Sequence, residues 1–313
     1  MSQFTVPTDP LKIGTRDSKL ALWQARQASR KLQSFGCQTE LVPVKSEGDI
    51  DLKTPLSAFG GKGVFTKALD EALLDKRIDV AVHSFKDLPT IQTLPLKVVA
   101  VLERDDPRDV LVAPQGTGFL EKKEDAIVAS GSNRRRSQWK ARYPGHELVQ
   151  IRGNVQTRIR KIEENGWDGG IFAAAGLKRI QLDEHISSYL DWMVPAPAQG
   201  AIAVMVREED AEKWGHLWEA ITHPPTFWAT LAERELLNTM EAGCSAPVGA
   251  FARYDSEKNV ISLRAVALSL DGKRKFEMED STGLEELTGF GERVAKALLK
   301  EGADSIIDEI KNA

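Results

Sequence analysis

Asp79-Val80-Ala81-Val82-His83-Ser84-Phe85-Lys86-Asp87-Leu88-Pro89 is the stretch from which the rest of the chain is read. Ile78 to Val82 is a short apolar run rich in β-branched residues, the pattern of a strand buried on both faces of a parallel sheet. The run stops at His83, and Pro89 cannot continue a strand. A His, a Ser, a Lys and an Asp are therefore delivered together at the carboxyl end of a buried strand, which is where open α/β sheets hold their ligands. Flanked by Lys86 and His83, the Asp87 carboxylate is expected to stay ionised and to be able to stabilise a cation. At this point a second reading stays open, in which Asp87 closes a turn and Lys86 is solvated.

Before this stretch, Lys12 to Thr15 reads as a first strand. Ser18 reads as the N-cap of a helix whose Ala21, Ala25, Ala28, Leu32 and Phe35 form one apolar stripe. Arg16 and Ser18 sit in the strand-to-helix turn, where backbone N–H groups and the helix dipole favour an anion. Gln38 to Lys45 returns as a strand. Gly48 to Gly63 is a polar, Gly-rich loop of lid length. It lacks the phosphate-loop spacing and a Ser or Thr after its Lys, which argues against nucleotide binding. Phe65 to Lys76 reads as a helix with Phe65, Leu69, Ala72 and Leu73 inward.

After the strand Lys97 to Leu102, the charged joint Glu103 to Asp109 contains a Pro and reads as a domain crossing. A second βα series follows, with strands at Val110–Ala113, Ala126–Ala129, Leu148–Ile151 and Gly170–Ala174 and helices near Asn133–Arg142 and Asn154–Glu164. Ala201 to Val206 reads as a strand returning to the first series. Two βα units joined by two crossings form a hinged pair with a cleft. Beyond His223-Pro224-Pro225 a helix, a tight Glu241-to-Pro247 loop, three strands and two helices (Leu284–Lys300 and Ala303–Asn312) make a small α+β domain. The expected division is 10–104 with 200–220, then 105–199, then 221–313, with an α/β fold class.

From Arg134 to Lys161 there are nine Lys or Arg and one acid, Glu147, in a chain of 313 residues whose net charge is -4. Arg134, Arg135, Arg152 and Arg158 fall at starts of helices, where guanidinium forks and helix N-termini grip carboxylate or phosphate. A solvated helix face accounts for Arg136, Arg142, Arg160 and Lys161. Hydrophobic residues at 42% and charged residues at 28% are ordinary for a globular protein. The first residues have no basic n-region or apolar h-region, and no segment is long enough to span a bilayer, so neither export nor a membrane is expected. Cys37 and Cys244 are far apart and five scattered His offer no ligand spacing, so free thiols in a reducing compartment and no metal are expected.

The motifs Gly14-Thr15-Arg16-Asp17-Ser18, Phe59-Gly60-Gly61-Lys62-Gly63-Val64-Phe65, His83 to Pro89, Ser132-Asn133-Arg134-Arg135, Arg152-Gly153-Asn154-Val155-Gln156-Thr157-Arg158, Ala175-Gly176-Leu177-Lys178-Arg179 and Glu241-Ala242-Gly243-Cys244 occur in this order. Together they resemble the porphobilinogen deaminase (hydroxymethylbilane synthase) family, from about Leu11 to the C-terminal helices. The resemblance implies two domains like periplasmic binding proteins around a cleft, plus a third carrying a dipyrromethane cofactor as a thioether on Cys244. It implies a transferase of tetrapyrrole (haem) biosynthesis: four porphobilinogen units are joined to that primer with loss of ammonia, and water releases hydroxymethylbilane.

Asp87, with Lys86, would be catalytic, the carboxylate holding pyrrole N–H groups and stabilising the azafulvene cation. Ser84, Lys86, Asp87, Ser132, Arg134, Arg135, Arg158 and Gly176 would bind the cofactor with Cys244. Arg16, Ser18, Lys62, Phe65, Arg152, Arg179 and Gln199 would bind substrate. A monomer in the cytoplasm, without nucleic acid or membrane, is the expected setting. The sequence departs from the family at Ala58 and Lys53 in the lid, at Asn133, and in Pro195-Ala196-Pro197-Ala198-Gln199-Gly200 beside the second crossing. A solute-binding protein would share the Arg residues but has no use for Cys244. A nucleic-acid module would need a continuous basic face and aromatic platforms, for which Trp139 and Tyr143 are thin support.

Overall fold

The structure is a computed structural model that describes residues 6–45, 66–91, 94–121, 124–241 and 246–311. The lid with its Ala58, Lys53, Lys62 and Phe65, and the loop residue Cys244, lie outside the described residues. Two compact units are formed: Met1–Asp105 with Ala201–Phe227, and Asp106–Gly200 with Trp228–Ala313. Among the described residues no helix is long and apolar enough to cross a membrane.

Unit 1 begins with β1 (Leu11–Arg16), α1 (Lys19–Gln33) and β2 (Thr39–Val44), followed by α2 (Lys67–Leu74), β3 (Val80–Ser84) and β4 (Leu96–Val101). Unit 2 continues with β5 (Asp109–Val112), β6 (Glu124–Ala129), α3 (Asn133–Arg142), β7 (Gly145–Val149), α4 (Val155–Glu164), β8 (Gly169–Ala173), the short α5 (Ala174–Lys178) and β9 (Ser188–Tyr189). The chain returns to unit 1 as β10 (Ile202–Arg207), α6 (Glu208–Ala211) and α7 (Gly215–Ile221). It then runs through α8 (Pro224–Thr239) into β11 (Val248–Asp255), β12 (Val260–Leu268), β13 (Lys275–Gly283), α9 (Phe290–Leu298) and α10 (Asp304–Lys311).

The two five-stranded sheets share one plan. In unit 1 the order is β2-β1-β3-β10-β4, and in unit 2 it is β7-β6-β8-β5-β9. In each, four strands run in one direction, and the strand that enters after a crossing, β10 or β5, lies antiparallel between the third of them and the edge strand β4 or β9. β3 reaches two residues further than the apolar run indicates. His83 and Ser84 pair with Ala203 and Ile202 of β10, so backbone pairing carries the strand on after its apolar side chains end. A 3₁₀ turn, Phe85–Asp87, follows at once. The opposite end of β3 is clamped by the buried Arg207, which donates to the carbonyls of Leu73 and Ile78 at 2.8 and 2.7 Å and reaches the Asp79 carboxylate.

The joint read from Glu103 to Asp109 is shorter in the structure. Asp109 is already the first residue of β5 and is fully buried. Asp106, at the crossing, accepts from Arg108 and from Lys178 at 2.8 Å, and both cations lie over the Tyr189 ring. The C-terminal helices divide further than their periodicity predicts. Residues 284–286 form a 3₁₀ turn ahead of α9, and a π turn at Leu299–Ala303 contains Gly302, whose φ of 116° lies in the left-handed region that favours glycine.

Within unit 2 the sheet β11-β12-β13 packs under α8, α9 and α10 around Leu236, Leu263, Phe290 and Leu298, all buried. The buried Glu233 of α8 fastens this layer to the end of the second crossing. Its carboxylate accepts from the backbone N–H of Ala198 at 2.6 Å and of Ala252 at 2.7 Å. Ala198 has a φ of 60°, strained for any residue but glycine. The Glu233 hydrogen bond holds that turn together with the Gln199 N–H, which donates to the Ala196 carbonyl at 2.9 Å. Glu233→Ala leaves two buried N–H groups without their acceptor and is expected to lower unfolding free energy by roughly 2–5 kcal/mol. Urea unfolding of the purified variant checks this, and a change below about 1 kcal/mol would show that the staple is dispensable.

Candidate active site

In unit 1 the ends of β1, α1 and β3 converge. β1 ends at Arg16, Ser18 caps α1 by accepting from the Ala21 N–H at 3.2 Å, and β3 delivers Ser84 just before the Phe85–Asp87 turn. These elements enclose a small pocket lined by Arg16, Ser18, Gln24, Thr66, His83, Ser84 and Asp87, with Leu20, Ala21 and Val82 on its apolar side. Asp87 is exposed, Lys86 half-buried and His83 buried. The pocket lining therefore combines a guanidinium and a helix start, suited to an oxygen anion, with a carboxylate, suited to N–H groups or a cation.

His83 does not play the part its place in the sequence predicts. Burial first, and the Arg16 charge second, push its pKa down to about 4. The imidazole is neutral and adds no positive charge beside Asp87. Its Nε2 atom is buried and has no hydrogen-bond partner among the described residues.

In unit 2 the cluster forms around a carboxylate. Arg134 donates to Asp109 at 2.6 Å and to the Val194 carbonyl, and Arg135 donates to the other Asp109 oxygen at 2.9 Å and to the Ile171 carbonyl. Gln199 donates to Asp109 and to the Pro107 carbonyl. Arg134 and Arg135 are only 4% and 7% exposed, so they are not open forks at a helix start; they are built into the unit. Burial on its own would raise the Asp109 carboxyl, but Arg134, Arg135 and Gln199 overcome it and hold the group well below the usual carboxylate range. The Nε of Arg134 and one terminal nitrogen of Arg136 are buried without a partner among the described residues.

The other predicted residues are placed as follows. Ser132 precedes α3 but makes no capping hydrogen bond with its side chain. The start of α4 is capped by Asn154, which accepts from the Thr157 N–H at 2.9 Å, and Arg158 donates back to the Gly153 carbonyl at 2.7 Å. Gly153 has a φ of 119°, and a Cβ there would lie 2.8 Å from Thr157, so this turn requires glycine. Arg152 is half-buried in the same turn. Gly176 lies in α5, and the buried Arg179 just after it donates to the Gly200 carbonyl.

Sequence reasoning missed Asp109 and Gln24. Asp109 was legible as an acid directly before the apolar run Val110–Ala113. Gln24 was legible as a polar residue at an inward position of the α1 stripe.

The family model described as "Porphobilinogen deaminase, dipyromethane cofactor binding domain" matches residues 11–214, and "Porphobilinogen deaminase, C-terminal domain" matches residues 227–300. The chain belongs to the porphobilinogen deaminase family. The porphobilinogen deaminase of Syntrophomonas wolfei is 41% identical over 307 residues, covering 96% of this chain and 99% of that protein. That of Desulfitobacterium hafniense is 40% identical over 305 residues, covering 96% and 97%. Among solved structures, a periplasmic substrate-binding protein of an ABC transporter from Coxiella burnetii covers 69% of this chain and 94% of its own, at 14% identity and a TM-score of 0.42, a likeness too slight to bear on chemistry.

Two outcomes are expected. Asp109→Asn leaves two buried guanidiniums against a neutral amide and should lower stability by about 3–5 kcal/mol in urea unfolding. The wild-type contribution of this depressed carboxyl is full above the ordinary carboxylate range and is lost as pH falls through the folded value, so the gap between wild type and variant should narrow on acidification. A gap independent of pH would mean that Asp109 is not held as an anion.

His83, with its pKa lowered, favours folding above its ordinary value near 6.5 and loses that contribution as pH falls towards about 4. Its imidazole resonance, assigned with His83→Gln, should titrate near the lower value. Titration near the ordinary one would place the ring in water.

Proposed function

We propose that this chain is a transferase of tetrapyrrole biosynthesis that condenses four porphobilinogen molecules head to tail on a dipyrromethane primer. Ammonia is lost at each addition and hydroxymethylbilane is released by water. The observation that carries the reading is the unit 1 pocket, whose lining brings together a carboxylate and a guanidinium with a capped helix start. Porphobilinogen carries both complements, a pyrrole N–H with a cationic centre and the acetate and propionate groups.

The residues also fit the cofactor named in the family description. Buried donors at Arg134 and Arg136 without partners among the described residues, and an α3 start that Ser132 does not cap with its side chain, match a group rich in carboxylates. When bound, dipyrromethane supplies the primer on which the pyrrole chain grows, and Cys244 is the residue that would hold it by a thioether. Ser84, Lys86, Asp87, Ser132, Arg134, Arg135, Arg158 and Gly176 would bind it. The Arg134 and Arg135 forks are already fixed by Asp109, so they would present their remaining donors in a set orientation and little ordering would be needed on binding. Residues 221–313 would act as the cofactor-carrying part.

Asp87 would accept pyrrole N–H groups and stabilise the positive charge left on the substrate as ammonia departs. Its exposure lets it reach a ligand, and the half-buried Lys86 beside it offsets its charge. Arg16 and Ser18 would hold acid side chains of substrate, as would Lys62, Arg152 and Arg179, with Phe65 against a ring. Gln199 would act at the substrate side of the same network, its amide already engaged with Asp109. The chain would work as a monomer in the cytoplasm.

Asp87→Ala should lower kcat by at least about a hundredfold with an unchanged unfolding midpoint; near-normal turnover would remove Asp87 from the chemistry. The intact mass of denatured protein should exceed that of the chain by two linked pyrroles located on the Cys244 peptide. A chain that stays unmodified and inactive after incubation with porphobilinogen would refute the function.

A further inference from the structure

The inward face of α1 is apolar at Ala21, Ala25, Ala28 and Leu32, yet Gln24 lies on the same face and is only 2% exposed. A buried amide is costly unless it is hydrogen-bonded, and an apolar side chain of the same length would fill the space. The amide is directed at one group. Its Nε2 donates to Ser84 Oγ at 2.8 Å, and its Oε1 accepts the Ser84 hydroxyl at 3.1 Å. Both residues line the unit 1 pocket, next to Asp87.

A serine hydroxyl has one proton to donate and two lone pairs to accept with. Gln24 takes the proton and one lone pair. Turning the amide by half a revolution exchanges its two atoms and leaves the same count. What Ser84 can still offer is one lone pair, so at this site the hydroxyl accepts and does not donate. A carboxylate gains nothing from such a group, whereas an N–H does. The Asp87 carboxylate beside it likewise only accepts. Ser84 and Asp87 therefore read N–H donors, while Arg16 and the start of α1 read oxygen anions.

We propose that Gln24 is a positioning and specificity-determining residue, which fixes Ser84 as a hydrogen-bond acceptor for an N–H of the pyrrole substrate and keeps that hydroxyl from donating to a substrate's acid groups. The inference rests on the function proposed above and adds the residue that decides which way round the substrate binds. Gln24 acts only through Ser84, and this separates it from a residue that merely fastens α1 to β3.

The test is a double-mutant cycle on purified holoenzyme, with kcat and KM for porphobilinogen measured for wild type, Gln24→Met, Ser84→Ala and the double variant, and with unfolding midpoints alongside. Gln24→Met and Ser84→Ala should each lower kcat/KM about threefold to tenfold, the worth of one neutral hydrogen bond. The double variant should be no worse than the poorer single, because without Ser84 the amide has nothing to orient. Losses that multiply, or a Gln24→Met enzyme with wild-type kcat/KM, would overturn the assignment.

Gln24→Glu keeps an oxygen to take the Ser84 proton and should recover part of the loss seen with Met. A Glu variant no better than Met would also overturn it, and this comparison holds even if the Met variant folds poorly. A wild-type enzyme that makes no hydroxymethylbilane would sink the proposed function itself, whereas an active wild type with multiplying losses sinks only the role of Gln24.

Discussion

One fully buried carboxylate, Asp109, stands against two nearly buried guanidiniums, those of Arg134 and Arg135, and unit 2 is arranged around that contact. Removing either sign alone would leave an uncompensated charge in a region without water, so the three side chains can exist there only together. Each partner also carries a second obligation. Arg134 holds the Val194 carbonyl, Arg135 the Ile171 carbonyl, and Gln199 bridges Asp109 to the Pro107 carbonyl. Strand β5, the start of α3, strand β8 and the segments at both crossings of the chain are thereby set relative to one another. The Glu233 carboxylate extends the frame, because the residue whose N–H it fixes, Ala198, directly precedes Gln199.

The rigidity has a chemical use. Guanidiniums on long flexible stems lose conformational entropy when they grip an anion. Here that ordering is accomplished at folding, and the donors left over on α3 are held in place. Unit 1 reaches the same end with fewer charges. Arg207 clamps the entry to β3, β10 pairs with its last two residues, and the pocket side chains emerge where the strand gives way to a tight turn. In both units the strand that enters after a crossing lies beside the third parallel strand, so chain crossing and ligand-binding edge are products of one topology.

The proposed chemistry needs a cation to be stabilised among groups chosen to hold anions. A division of roles within unit 1 answers this. The guanidinium and the helix start donate, whereas the carboxylate and an acceptor-only serine accept. A protonated imidazole at His83 would blur that division, and burial keeps the ring neutral.

Local pattern determined a large part of this protein. The alternation of buried runs and one-face stripes marked most strands and the longer helices of both units, Ser18 announced the cap it forms, and the ordered motifs from Gly14 to Cys244 carried the family resemblance. These features depend on neighbours within a few residues, which is the range over which periodicity and capping operate. The partners of the charged groups were decided only by the tertiary structure. Arg134 and Arg135 read as open forks because the acid that binds them is 25 and 26 residues away in the chain, and Gln24 meets Ser84 across 60 residues. His83 reads as a charge until the packing around it excludes water. Desolvation and hydrogen-bond pairing belong to the folded environment, and no short stretch of sequence contains them.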